Sequence, residues 1–378
     1  MLLRHIFPCL LVLTTAQCGN VNFPANSSQP VAWNISVLPS FIHDVRKRVE
    51  LFQPASEFED DSIADWEEGL PRAMSASLKD YWLNDFDWFQ FEDEINANFS
   101  HYALTVEAGL GYDHPVPLHF IHERSNNTDA IPILLIHGYP PTSLEWSKHF
   151  HVIVVDLPGY GFSPAPLAFA FDNLMRTLGY SRYGVMSTDQ GWWSGMWMSY
   201  LVPDSLIGHY ADFVSLQPTP ADLERFSRDE TTEHSAYFTV FAQTPRSIGE
   251  ALGSTPLGLA TYLFPNLRKV NGGYDITNRW MTYHTIMLLF EEAWTSIRSY
   301  KLTSSADSNN FGYTSVPTGV SRWSWKGGPE PEFDNFPMVL ERHVNLTHLT
   351  DFAYGGHFPA ETRPAEWLRD IRQFFGSL

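Results

Sequence analysis

The chain has 378 residues with 24 basic against 43 acidic side chains, a formal net charge of −19 and a pI near 5.1. Phosphate binding needs a basic footprint, so this balance argues against nucleic acid as a partner. Only 18% of the residues are charged and 15% are aromatic, the composition of a folded, core-rich chain and not of an acidic disordered tail. The length allows about two domains, or one large α/β domain carrying an insertion. Both cysteines, Cys9 and Cys18, stand at the extreme N-terminus, which sets aside cysteine catalysis, a cysteine-bound metal and a disulfide framework.

The first residues combine a basic start at Arg4-His5, an apolar stretch over 6–13 and the small residues Thr14-Thr15-Ala16. This pattern predicts a secretory signal peptide cut near Ala16 or Gly19, the alternative being an ordinary apolar N-terminal strand. Five Asn-x-Ser/Thr sequons, at Asn26, Asn34, Asn98, Asn126 and Asn345, lean toward a secreted or secretory-pathway location. No other stretch approaches the ~18 uninterrupted apolar residues of a spanning helix, so no transmembrane helix is expected.

A polar, proline-bearing lead-in over 20–37 gives way to helical spacing at Phe41, Ile42, Val45, Val49 and Phe52. A second helix is predicted over 72–96, its aromatic stripe of Trp82, Phe86, Trp88, Phe89 and Phe91 reading as packing surface. The period then changes, and strands are predicted over 101–107, 116–122, 131–136, 152–156 and 183–187. The last three are short continuous runs of apolar and β-branched residues, as parallel strands covered on both faces require. Helices over 167–178 and 192–201 flank the fifth strand, and such alternation predicts a mostly parallel, doubly wound α/β sheet. From 218 to about 304 the alternation stops, and helices over 248–252, 257–263 and 278–300 read as a cap inserted into the sheet. Strands resume over 311–316 and 347–352, and a last helix covers 364–375.

Three features fall where loops leave the carboxyl ends of strands, the place where open α/β sheets bind ligands. The first is Ile136-His137-Gly138-Tyr139-Pro140, whose glycine and proline predict a tight turn that frees the Tyr139 backbone N–H for a bound oxygen. The second is Ser187-Thr188-Asp189-Gln190-Gly191-Trp192, with small residues two before and two after its central side chain, the pattern of a nucleophile elbow. Its central residue is aspartate, and a carboxylate can attack saturated carbon to form an alkyl ester. Capping of the following helix is the alternative for Asp189. The third is Gly355-Gly356-His357-Phe358, which delivers a histidine late in the chain, in the nucleophile, acid, histidine order of α/β-hydrolases. Beside an aspartate nucleophile its task is to activate water, which needs a neutral imidazole.

Together these residues resemble the epoxide hydrolases, specifically the microsomal-type branch that carries its own N-terminal domain. The likeness runs from about Phe41 to the C-terminus and includes Tyr81-Trp82, Phe86-Asp87-Trp88, His119-Phe120-Ile121-His122, Leu157-Pro158-Gly159-Tyr160-Gly161-Phe162-Ser163, the Asp189 elbow and the Gly355-Gly356-His357-Phe358 turn. In the cap it includes Gln243-Thr244-Pro245 and Pro256-Leu257-Gly258-Leu259-Ala260. The resemblance implies an α/β-hydrolase fold with a helical cap and an N-terminal helical extension, divided as a signal peptide at 1–19, the extension at 20–100, core at 101–217, cap at 218–304 and core again at 305–378. It implies that Asp189 opens a hydrophobic epoxide to an alkyl-enzyme ester, and that Tyr237 and Tyr300 hold and protonate the epoxide oxygen. The backbone N–H groups of Tyr139 and Gln190 would then stabilise the oxyanion when water activated by His357 hydrolyses the ester to a vicinal diol, with no metal or cofactor.

The acid partner of His357 departs from the family pattern. After Val316-Pro317-Thr318-Gly319 the expected carboxylate position holds Lys326, within Trp323-Ser324-Trp325-Lys326. Glu330 follows with the better spacing to His357, and Glu332 is the alternative. The connection over 141–150 is also short, at the lower limit for a crossover between parallel strands. A second reading is therefore a catalytically impaired or non-catalytic secreted protein on the same fold, either a binding protein or a truncated gene copy; a third is a dehalogenase-like hydrolase, which has no use for the two cap tyrosines.

Overall fold

Continuous runs of β-branched and aliphatic residues hide both faces only inside a sheet, and the chain places them there. The computed structural model describes residues 21–378 except 22, 25–26, 57–65, 108, 110–113, 128, 146–152, 158–159, 161–168, 217–235, 272–285, 287–293, 306–307 and 325–336. Its strands are β1 (Val31–Ala32), β2 (His101–Glu107), β3 (Pro115–His122), β4 (Ile133–Ile136), β5 (Ile153–Val155), β6 (Tyr183–Ser187), β7 (Leu206–Ala211), β8 (Thr314–Trp323) and β9 (Val344–Phe352). They form one sheet in the order β1-β2-β3-β5-β4-β6-β7-β8-β9. From β5 through β9 every pairing is parallel, whereas β1, β2 and β3 join antiparallel at one side. The order reverses around β4 and β6, which makes their carboxyl ends the switch point where such sheets bind ligands. This is the mostly parallel, doubly wound sheet expected of an α/β-hydrolase.

Among the described residues the helices are α1 (Pro39–Leu51), α2 (Arg72–Asn84), α3 (Trp88–Asn98), α4 (Phe169–Thr177), α5 (Asp189–Leu201), α6 (Ala236–Gln243), α7 (Pro245–Gly253), α8 (Pro256–Val270), α9 (Trp294–Thr303) and α10 (Pro364–Gly376), with short turns at Pro337–Leu340 and Pro359–Thr362. The sheet core is dry: Leu134, Leu135, Ile136, Val154, Val155, Val185 and Met186 are fully buried. None of the helices among the described residues is long and apolar enough to cross a membrane.

Several elements differ from expectation for identifiable reasons. The helix predicted over 72–96 is two helices, because the Asp87 side chain accepts hydrogen bonds from the Phe89 and Gln90 backbone N–H groups and so starts α3 afresh. The aromatic periodicity runs across this break and conceals it; Trp82, Trp88 and Phe91 are buried as expected, while Phe89 faces solvent. Strand β7 was not expected at all, since Gly208 and His209 interrupt its apolar run. The strand predicted over 311–316 begins later and runs on to Trp323. Much of the helix predicted over 278–300 and of the connection over 141–150 lies outside the described residues; α9 covers the C-terminal end of the former.

Polar contacts lock the N-terminal segment onto helix α3. The Asn96 amide brackets Ile35, its Oδ1 accepting from the Ile35 N–H and its Nδ2 donating to the Ile35 carbonyl, both at 2.8 Å. Glu92 accepts from the Val37 N–H at 2.8 Å and from the Trp88 indole at 3.1 Å. Deeper, a buried file runs from the Ile95 carbonyl to His101 (3.1 Å), from His101 to His119 (3.0 Å) and from His119 to Asp156 (2.6 Å) at the end of β5. Burial lowers His101 to a pKa of about 3, with the neighbouring His119 pushing the same way. Asp87→Ala removes the cap that starts α3, and urea unfolding of this variant is expected to show a loss of about 1 kcal/mol.

Candidate active site

The site is built where β4 and β6 end side by side. After β6 the backbone turns through Asp189 at φ 43°, a left-handed conformation that a non-glycine residue holds only when its surroundings enforce it. The enforcement comes from close packing. A Cβ added to Gly191 would lie 2.3 Å from the Ile136 carbonyl oxygen, and one added to Gly138 would lie 2.3 Å from Asp189 Cβ. Both positions therefore require glycine, and Asp189 is pressed against the turn that follows β4. Helix α5 begins at Asp189 itself, not at Trp192 as the sequence pattern predicts. The carboxylate thus sits at a helix N-terminus, where the first N–H groups, that of Gln190 among them, lack intrahelical acceptors and the helix dipole favours negative charge.

The Tyr139 N–H points at the nucleophile candidate itself, donating to Asp189 Oδ1 at 2.7 Å. His137 holds this turn in shape. Its Nε2 accepts from the Leu157 N–H at 2.8 Å, so the proton is on Nδ1, which donates to the Gly138 carbonyl at 2.7 Å. Burial lowers the His137 pKa, and the neutral ring serves as a strut between the ends of β4 and β5. The sequence singled out this histidine only as part of a motif.

His357 comes to the same place from the other side. Gly355 and Gly356 have φ of 133° and 70°, and a Cβ on Gly356 would lie 2.5 Å from the Val270 carbonyl oxygen. The His357 N–H donates to that carbonyl, at the end of α8, at 2.9 Å, and the Phe358 N–H donates to Asn271 Oδ1 at 3.0 Å. The imidazole Nε2 then stands 3.2 Å from Asp189 Oδ2. Phe213 and Phe358 pack edge-on against the ring, with centroids 5.4 and 4.5 Å away.

Above Asp189 lies a cavity of about 240 Å³ walled mainly by aromatic and aliphatic side chains. Tyr237 from α6 and Tyr300 from α9 both line it, their ring centroids 5.7 Å apart, together with Tyr139, Gln190 and His357. The Tyr300 hydroxyl is buried and has no hydrogen-bond partner among the described residues. Burial, reinforced by Tyr237 and Asp189, raises its pKa well above 10, so the phenol keeps its proton at any working pH. Asp189, His357, Tyr237, Tyr300, Tyr139 and Gln190 are thus brought together around one cavity. Glu330, Glu332 and Lys326 lie outside the described residues. One buried carboxylate near His357 escaped the sequence reading altogether: Asp212, directly after the unexpected strand β7.

The contact between Gly138 and Asp189 gives a direct test of this geometry. Gly138→Ala is expected to fold but to displace Asp189, lowering turnover about 100-fold in a steady-state assay.

Comparison with known proteins agrees with the fold. A family model described as the epoxide hydrolase N terminus matches residues 30–146. The chain is 26% identical over 377 residues to the juvenile hormone epoxide hydrolase of Manduca sexta, covering 81% of this chain and 77% of that protein. It is 25% identical over 407 residues to epoxide hydrolase 1 of Sus scrofa, covering 89% and 86%. The solved structure of Aspergillus niger epoxide hydrolase shares the fold with a TM-score of 0.76 at 23% identity, over 94% of this chain and 98% of that one. The juvenile hormone epoxide hydrolase structure from Bombyx mori does so with a TM-score of 0.74 at 22% identity, over 93% and 94%. Along most of its length the chain is thus similar to enzymes named epoxide hydrolases, it matches their N-terminal model over residues 30–146, and it shares the fold of their solved structures.

Proposed function

We propose that the protein converts a hydrophobic epoxide to a vicinal diol through an ester on Asp189. The observation that carries this reading is the division of labour between the two Asp189 oxygens. Oδ1 is already held by the Tyr139 N–H, while Oδ2 stands next to His357, and both residues line the cavity. In the first step Oδ2 attacks an epoxide carbon, the carbon–oxygen bond of the ring breaks, and Tyr300 or Tyr237 gives its phenolic proton to the departing oxygen. An interaction with Tyr300 that forms only as negative charge develops on that oxygen lowers the barrier without tightening ground-state binding.

In the second step water gives a proton to His357 Nε2 and its oxygen bonds to Asp189 Cγ. Negative charge collects on Oδ1, where the N–H groups of Tyr139 and Gln190 receive it. The Cγ–Oδ2 bond then breaks, and the alkoxide takes the proton from His357 to complete the diol. The regenerated carboxylic acid returns its proton to the tyrosinate, so charge and hydrogen balance over the cycle. The aromatic walls favour an apolar substrate, which needs no steering by charge.

His357→Gln is expected to stop at the ester, so that intact-mass measurement shows the protein heavier by one epoxide. Asp189→Asn should form neither adduct nor diol, and Tyr300→Phe should slow ester formation by about 100-fold. After many turnovers in ¹⁸O water, label should appear in the peptide containing Asp189, because Oδ2 leaves with the product; label confined to the diol would refute the ester.

We also propose that the protein passes through the secretory pathway. The sequon residues Asn34, Asn98 and Asn126 are exposed, as glycan attachment requires. Expression in a eukaryotic secretory host should yield protein whose mass falls on treatment with a glycan-releasing amidase; an unchanged mass would count against this route.

A further inference from the structure

Asp212 stands at the carboxyl end of β7, the strand next to the one that carries Asp189. Its Oδ2 accepts a hydrogen bond of 2.8 Å from the indole N–H of Trp367, a fully buried residue of α10. Its Oδ1 is buried and no donor among the described residues meets it in good hydrogen-bonding geometry, although the Thr188 hydroxyl lies close enough to act on the carboxyl. An orphaned carboxylate oxygen in the protein interior is costly, and structural roles rarely explain one. The next residue, Phe213, packs its ring against His357, so β7 delivers the carboxylate to the neighbourhood of the base.

We propose that Asp212 is a positioning residue for the ester-hydrolysis step, its carboxylate stabilising the positive imidazolium that His357 becomes when it takes a proton from water. The inference rests on the Asp189-ester reading above and adds to it a second carboxylate, one that never meets the substrate. The physical reason is differential. In the resting enzyme a neutral His357 offers Asp212 little, and the unpartnered Oδ1 counts against the fold. In the hydrolytic transition state the imidazolium supplies the missing positive charge in a site of low dielectric. Burial raises the Asp212 pKa from 3.8 to about 6, and the Thr188 hydroxyl, the Trp367 indole and, when it carries its positive charge, His357 pull it back in part. The role does not require the glutamates at 330 and 332 to be idle, since His357 has two ring nitrogens and an electrostatic field acts on the whole ring.

A stability effect of the opposite sign to activity follows. A carboxyl whose pKa is about 6 in the fold against 3.8 outside binds protons more readily when folded, so stability falls as pH climbs through that window and the cost is fully present above it. Asparagine has the same shape, can still accept from Trp367 and carries no charge.

The test is Asp212→Asn, assayed with a styrene-type epoxide beside wild type and His357→Gln. Expected are ester accumulation on Asp189 by intact mass, kcat lower by at least about tenfold, kcat/KM unchanged, and at pH 7.5 a Tm equal to wild type or higher by about 2–4 °C. Because only the second step slows, KM should fall together with kcat. Wild-type ester hydrolysis in Asp212→Asn would overturn the proposal, as would a lower Tm with equal loss in kcat/KM, the mark of a structural acceptor. No ester in His357→Gln and no label on Asp189 in wild type would instead mean that the ester reading fails, and this inference with it.

Discussion

The site depends on one contact: the 2.7 Å hydrogen bond from the Tyr139 N–H to Asp189 Oδ1, made across the ends of two neighbouring parallel strands. It fixes which carboxylate oxygen is held and which is left to react. It exists only because both strand ends accept glycines where no side chain fits, and because Asp189 is driven into a conformation that its own residue type disfavours. The neutral strut of His137, the register of β4 with β6 and the start of α5 at Asp189 all serve to hold those two atoms together. Strain of this kind is stored locally and is balanced by the dry sheet beneath it.

The charge in the cavity is arranged by environment as much as by residue type. Asp189 receives a backbone donor and a helix N-terminus, whereas Asp212, a short distance along the same sheet, is buried with half its carboxyl unserved. Two aspartates on adjacent strands thus meet opposite surroundings. The phenol of Tyr300, buried and without a hydrogen-bond partner among the described residues, is the uncharged counterpart of the same design.

The parts of the site that could be read from the sequence are those whose geometry is imposed by their immediate neighbours. Gly138, Gly191, Gly355 and Gly356 announce backbone conformations that few other residues tolerate, and so they mark Tyr139, Asp189 and His357. Tyr237 and Tyr300 carry no local signal; only the resemblance to a family picks them out among 16 tyrosines. Asp212 was invisible for a physical reason. A polar residue ending a strand is ordinary, its own strand is disguised by Gly208 and His209, and the side chain that buries it, Trp367, lies 155 residues away. In the fold, period and composition disclosed β2 to β6, the strands that precede the elbow, while the break between α2 and α3 stayed hidden because the aromatic stripe crosses it in phase.

The file of His101, His119 and Asp156 beneath the N-terminal segment links elements far apart in the chain. The Ile95 carbonyl only accepts, so His101 must give its hydrogen to it through Nε2. His101 Nδ1 meets His119 Nε2, and His119 Nδ1 meets Asp156 Oδ2 at the end of β5. Peeling the segment from the sheet would do more than expose apolar surface. It would open a row of buried polar groups that satisfy one another, so the docking of residues that never reach the cavity is coupled to the end of a central strand.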